Sequence, residues 1–436
     1  RSTLFPYTTL FRSYWHSDCL VMDNRSSPIQ ERPMQAQTTA DFARSRRSSL
    51  IAAIFLMATS AIGPGFITQT ATFTATMGAA FAFGILASIL IDFVVQLNVW
   101  RIVTLTRMRA SDLANAAIPG SGYLLAVLVI FGGLVFNVGN IAGAGLGLNA
   151  LMGLDPKWGG GLSALVAIGI FLSKRAGIAV DRLIVVLGLL MILLTLFVAI
   201  ASNPPLGEAL RQTVWPDTIN FATITTIVGG TVGGYITFAG AHRLIDSGHT
   251  GVENVKNITY TSVSGIVVTG IMRMLLFLAV LGVVATGVAL SDDNTAADAF
   301  YNAAGEFGLR AFGVVLFAAG LSSVIGAAYT SVSFVTSQDT STRTRNILTI
   351  VFIAVCTVVF VAINSAPQKL LIFAGAINGL ILPIGFALVM WVAWRRRDLL
   401  QGYKYPKWLL IIGTLAWVLT IFIGFKAFSG ITELWA

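Results

Sequence analysis

Charged side chains are scarce in this chain of 436 residues: Asp, Glu, Lys and Arg together make up 11%, where a soluble domain carries about a quarter. That shortage excludes a water-soluble globule, which needs charge to cover its surface, and points to an outer surface built for lipid. Only two cysteines are present, Cys19 in a polar stretch and Cys356 within an apolar run. A disulfide is therefore not expected, and no thiolate metal site can be assembled. The sequence also offers no nucleophile beside a base, no His/Cys/Glu cluster and no phosphate-binding loop, which argues against an enzyme and against a cofactor. The net charge of +9 is carried by Lys and Arg in short clusters between apolar runs, so nucleic acid is not an expected partner.

What the chain does have is hydrophobic length, with 56% apolar residues and a mean hydropathy of +0.82. Residues 1–13, RSTLFPYTTLFRS, read as translated sequencing adapter, and 14–48 read as a disordered polar tail without the apolar core of a signal peptide. A span needs about 20 apolar residues. Apolar segments fall at 50–76, 79–102, 121–152, 159–173, 180–201, 219–243, 258–290, 308–336, 346–364, 370–394 and 408–428, eleven in all. Cations alternate across the loops, with Arg44, Arg46, Arg101, Arg107, Arg109, Lys174, Arg243, Arg343 and Arg395 to Arg397 on one side and few on the other. Because such residues stay inside during insertion, the amino terminus is expected in the cytoplasm and the protein in the plasma membrane.

Two spans are interrupted alike. Span one carries Gly63-Pro64-Gly65-Phe66 and span six carries Gly229-Gly230-Thr231-Val232-Gly233-Gly234. Proline lacks an N–H, and a helical glycine costs about 1 kcal/mol relative to alanine, so helices unwind at such clusters. Spans one and six are matching members of two sets of five, and five being odd, the second set is inverted. Matched breaks in inverted repeats point to a midplane binding site in secondary transporters; close helix packing by small residues is the alternative. Packing is the expected role of the glycines between Gly139 and Gly147 in span three. The expected organisation is a first five-helix repeat over 49–201, an extracellular loop at 202–218, a second repeat over 219–394, and a loop with an eleventh helix over 395–436.

From span one to span ten the sequence resembles the Nramp family of divalent metal transporters. The family's Asp-Pro-Gly-Asn break falls on Gly63 to Phe66, with Gln96-Leu97 and Arg101 following in register. Gly143-Ala144-Gly145-Leu146-Gly147-Leu148, Ala319-Gly320-Leu321-Ser322-Ser323-Val324-Ile325 and Leu382-Pro383 match further family motifs. The resemblance implies an all-α polytopic membrane protein with the LeuT-type 5+5 inverted repeat and an eleventh helix. It also exposes departures. The family's metal-binding Asp, Asn and Met have no counterpart: Gly63 and Phe66 stand at the first two positions, and the family's Met-Pro-His-Asn falls on Gly233-Gly234-Tyr235-Ile236, with Gly230 at the carbonyl ligand's position. The family's proton-carrying acids of span three fall on Asn137 and Asn140, which do not titrate. Aligning span one on an upstream Gly-Pro instead moves the site to Thr74 to Met77, again without a carboxylate.

A dehydrated transition-metal ion is poorly held by carbonyls, hydroxyls and amides alone. Two substrates remain: a divalent metal ion that keeps much of its hydration shell, as Mg²⁺ prefers, or a small organic solute, which Phe66 and Tyr235 would suit. Expected substrate-binding residues are Gly63, Pro64, Gly65, Phe66, Gln69, Gly230, Gly233, Gly234 and Tyr235, and expected pathway residues are Asn137, Asn140, Asp92 and Asn378. Asp92 is either a coupling-ion site or a structural partner of Arg273. Arg243 and Asp246 read as an interfacial ion pair, His242 as a capping residue, and the hydroxyls of Thr231, Thr237, Ser322 and Ser323 as ligands or as groups bonding a carbonyl one turn back in their own helices.

Overall fold

Hydrophobic runs long enough to cross a bilayer must satisfy every backbone polar group internally, and among the described residues all regular structure is helical. The structure, a computed structural model, describes residues 61–172, 176–363 and 365–435. The expected adapter-derived stretch, the tail and the start of span one lie outside the described residues.

Fourteen α-helices follow one another there: α1 (Pro64–Met77), α2 (Phe81–Thr106), α3 (Ala110–Ala117), α4 (Ser121–Met152), α5 (Pro156–Leu172), α6 (Ala176–Ala201), α7 (Leu206–Val214), α8 (Phe221–Thr231), α9 (Ile236–Asp246), α10 (Val255–Ala285), α11 (Thr295–Ser333), α12 (Thr342–Ala362), α13 (Pro367–Arg395) and α14 (Lys407–Trp435). Eight stretches among the described residues are individually long and apolar enough to span a membrane. The first of these, Pro64–Thr106, covers the described half of span one and all of span two, interrupted at Gly78, whose φ of +57° ends α1. The 17-residue α5 and the helix α6 supply the spans that the eight do not include.

Three features depart from the segments expected. Residues 202–218 are not all loop, because α7 forms there and its Arg211 bridges Glu208 and Asp217 at 2.7 and 2.6 Å. Hydrogen bonding to Arg211 holds both carboxyls below their usual range. A second short helix, α3, occupies the link after α2. The third departure is α11, which begins at Thr295 and kinks at Ala304 and Gly305, the latter at φ +61°. Its acidic neighbours are locally engaged: Asp298 accepts from the Ser291 N–H at 2.8 Å, and the Arg310 Nε donates to Glu306 at 2.7 Å.

The bundle centres on α4, which packs along α11 and α13, while α13 crosses α8 and α10 crosses α2. Small residues set these distances. A side chain on Gly143 of α4 would overlap Pro64 of α1, and one on Gly147 would overlap the backbone at Phe317 of α11. Where α8 crosses α13, a side chain on Gly229 would collide with the backbone of Gly375 and Gly379. The span-three glycines thus bring backbones together, and the close approach of α1 and α13 to α4, with α8 packed on both α13 and α1, gathers the two helix breaks at one place.

Candidate substrate site at the helix breaks

The first break is built from Ile62 and Gly63, which stand outside the helix. Gly63 is extended (φ −84°, ψ 178°), and α1 restarts with Pro64 in its first turn, where the missing N–H costs nothing and the ring's φ is already helical. No side chain of Gly63 can cap this end. Ile67 donates to the Gly63 carbonyl at 3.2 Å, while the N–H groups of Gly65 and Phe66 find no acceptor among the described residues. The second break separates α8 from α9. The link Val232 to Tyr235 turns at Gly234 (φ +56°), a conformation that favours glycine; a Cβ there would also strike Asn378 Oδ1. The Gly230 carbonyl accepts no backbone hydrogen bond among the described residues, so both breaks present main-chain polar groups inward.

Side chains from four elements converge on these ends. Gln69 of α1 donates from Nε2 to the Leu371 carbonyl at 2.9 Å, and its Oε1 abuts Gly230. Asn378 of α13 donates from Nδ2 to the carbonyls of Gly132 (3.0 Å) and Ala374 (2.8 Å). Asn140 of α4 lies against Gly63: a Cβ on that glycine would be 3.7 Å from Asn140 Oδ1 and 2.6 Å from Ser323 Oγ. Tyr235, in the second break, faces Asn140 with its hydroxyl, while its ring meets Phe136 edge-on at 5.5 Å between centroids. Gln69, Asn137, Asn140, Tyr235 and Asn378 are all 0% exposed. Among the described residues, Gln69 Oε1, Asn378 Oδ1, the Tyr235 hydroxyl and both polar atoms of Asn137 and Asn140 complete no hydrogen bond. Each such group costs about 1–3 kcal/mol when buried unpaired.

Other residues singled out in the sequence go elsewhere. Asp92 binds Arg273 at 2.7 Å, with Arg273 also donating to Ser88 Oγ at 3.2 Å; of the two roles open to Asp92, the geometry is that of the structural pair between α2 and α10. Phe66 joins an apolar cluster with Phe73, Phe81 and Leu146 and supplies a wall. Asn137 sits beside Cys356 of α12, whereas Asn140, one turn on, meets Tyr235. The hydroxyls of Thr231 and Ser322 bond the carbonyls of Ile227 (2.6 Å) and Ala319 (2.9 Å) in their own helices. Thr74 does the same to Thr70 at 2.6 Å, within α1 and ahead of its end at Met77. Phe136, whose ring would be 3.3 Å from a Cβ on Gly65, was not foreseen as a lining group. An aromatic in an apolar run carries no distinguishing signal, and only the fold brings it to the first break.

Below the breaks, a small cavity is lined by Gly234, Thr237, Phe238, Ile381, Leu382 and Phe386. Beyond it a polar network joins the α3 end of the bundle. Arg109 is fully buried and donates to Asp246 of α9 at 2.7 Å and to the carbonyls of Ser333 (3.2 Å) and Thr336 (2.6 Å) at the end of α11. Asp246 also accepts from the Tyr329 hydroxyl and lies 3.7 Å from Arg345 of α12. His242 caps α3 from another helix: its Nε2 accepts from the Ala110 N–H at 3.0 Å, which leaves Nδ1 to donate to Ser333 Oγ at 2.7 Å.

A membrane bundle in which two interrupted helices meet around buried neutral amides has the construction of a secondary transporter. A family model described as natural resistance-associated macrophage protein-like matches residues 54–429. The chain belongs to this family, the Nramp family. It is 47% identical to the membrane protein YcsG of Bacillus subtilis over 405 residues, covering 92% of this chain and 100% of that one. It is 51% identical to a membrane protein of Haemophilus influenzae over 369 residues, covering 84% and 92%. Among solved structures it resembles the manganese transporter of Eremococcus coleocola (TM-score 0.65, 16% identity, 88% and 87% covered) and MhsT in complex with L-phenylalanine (TM-score 0.60, 18% identity, 88% and 97% covered). The fold is therefore LeuT-type, two inverted five-helix repeats with an eleventh helix.

Proposed function

We propose that this protein is a plasma-membrane secondary or facilitated transporter, amino terminus cytoplasmic, that moves its substrate by alternating access through the chamber between Gly63 and Gly230. The observation that carries the reading is the meeting of the two helix breaks around buried polar groups, since main chain unwinds at membrane depth only where it is covered by protein or lines a cavity. Family membership makes a divalent cation of the Mg²⁺ or Mn²⁺ class the leading substrate. With no carboxylate in α1, α4, α8 or α13, such an ion would travel with much of its water, its shell donating to Gln69 Oε1, Asn378 Oδ1 and the Gly230 carbonyl. Asn137 and Asn140 do not titrate, which supports transport down the substrate's own gradient without proton coupling. Purified protein in liposomes should take up Mg²⁺ or Mn²⁺ with no accompanying lumenal acidification. A requirement for an inward proton gradient would defeat the uncoupled mechanism, and absence of flux for both ions would defeat the cation.

A small organic solute is the second reading, favoured by a specific observation. The unpaired groups include donors, the Tyr235 hydroxyl and the Asn140 Nδ2, as well as acceptors. A cation engages acceptors alone, whereas an organic molecule with oxygen and N–H groups engages both.

A further inference from the structure

The sign of the charge preferred at the start of α1 can be read from that helix end, the carboxyl end of α8 at Thr231 lying in the other break. An α-helix carries the equivalent of about half a positive charge at its amino terminus, expressed through N–H groups without intrahelical acceptors. The 14-residue α1 opens on the chamber with no side-chain cap and with the Gly65 and Phe66 N–H groups unclaimed among the described residues. The 11-residue α9 also begins there, at Tyr235, again without a side-chain cap. No acidic side chain on α1, α4, α8 or α13 offsets these two positive ends. The one acid on α9, Asp246, is at that helix's far end and bound to Arg109, and Asp92 is bound to Arg273. A second observation is independent of the helix ends. Asn140 and Tyr235, both 0% exposed, place unpaired polar atoms beside the start of α1, with Asn140 Oδ1 3.7 Å from where a Gly63 Cβ would stand. Gly63 itself leaves room at the helix end that any larger residue would fill against Ser323.

We infer that the start of α1, together with Asn140 and the Tyr235 hydroxyl, forms a subsite for the carboxylate of a small organic solute, with Gln69 Oε1 and the Gly230 carbonyl accepting from the solute's N–H or O–H groups. The inference rests on the organic-solute reading. It specifies a solute with an anionic carboxylate at one end and a hydrogen-bond donor a few bonds away. N–H groups at a helix amino terminus are ready-made anion ligands, and Asn140, whose Oδ1 lies 3.7 Å from the Gly63 Cβ position, holds its Nδ2 equally unpaired, so that a turn of the amide presents a donor at the same point.

The test uses the purified full-length protein in detergent and in liposomes, with a panel of three- to six-carbon carboxylic acids, each with and without an amino or hydroxyl substituent and each paired with its primary amide. Thermal stabilisation and counterflow are read for every pair. At least one carboxylate is expected to bind about tenfold or more tightly than its amide, the difference expected when a charge-assisted hydrogen bond becomes a neutral one. Asn140→Asp, which puts a fixed carboxylate at the α1 terminus, should abolish carboxylate binding. Tyr235→Phe, which changes shape least, should weaken it about tenfold by removing one donor. Amides binding as tightly as acids, or carboxylate affinity unchanged in both variants, would overturn the subsite while leaving the organic-solute reading standing. No binding of any member, with Mg²⁺ or Mn²⁺ flux present, would overturn both.

Discussion

Asp92 and Arg273 are buried to 0% and 1% exposure and touch at 2.7 Å. Taking one partner away leaves the other charge without compensation inside the bundle, which costs about 3–5 kcal/mol, whereas replacing both by apolar groups is much milder. Asp92→Asn should therefore lower the thermal midpoint in detergent sharply, and Asp92→Leu with Arg273→Leu should recover most of the loss. Equal damage in the single and double variants would mean that Asp92 has a further role. At this scale the sequence was informative about which residues matter and less so about what each one touches. Gln69, Asn140, Tyr235 and Asn378 stood out as polar groups in apolar runs. The pairing of Asp92 was one of two readings, and the buried Arg109 looked like one more cation retained at the membrane face.

Gly143 of α4 shows how an element depends on a missing side chain, because any Cβ there meets Pro64 at the start of α1. Gly143→Val should force α1 off α4 and destabilise the protein by about 1–3 kcal/mol, the usual cost of overpacking, with transport lost as the first break shifts. Gly161 of α5 provides the contrast, since a Cβ there meets nothing within 4 Å. Gly161→Ala should be neutral or stabilising by up to about 1 kcal/mol. Thermal midpoints of the two variants check both expectations, and a tolerant Gly143→Val would show that this contact does not set the helix spacing. The long helices were legible because about 20 apolar residues in a row leave a bilayer-spanning helix few alternatives. The short α3 and α7 were not, since eight or nine residues are held by caps and neighbours more than by their own pattern: His242 reaches α3 from a helix more than a hundred residues away.

Across the whole molecule, Arg109 ties the link before α3 to α9, α11 and α12 through Asp246, Tyr329, Arg345 and the carbonyls at the end of α11. Alternating access requires one end of the path to be closed while the other opens, and this network bridges elements of both repeats at the end that the proposed orientation puts in the cytoplasm. Arg109→Gln should release that closure. A cysteine placed at Ile381, beside the cavity below Gly234, in a Cys19→Ala, Cys356→Ala background, should then react with an impermeant thiol reagent from that face about tenfold faster, as expected for a bias of about 1.4 kcal/mol. Unchanged labelling would make the network a purely structural fastening.

Composition and order of residues determined the membrane as solvent, the helical class, the matched interruptions and the absence of titrating acids in span three. These follow from local physics, because burial in lipid forbids unsatisfied backbone and a glycine or proline cluster breaks a helix wherever it falls. Which groups stand together was decided by tertiary structure alone. Phe66 packed its ring into an apolar cluster, Asn137 and Asn140 turned to different neighbours, and Arg109 found Asp246 across 137 residues. Such contacts depend on how closely backbones approach, and that distance is set by small residues on several helices at once, a property no single segment carries.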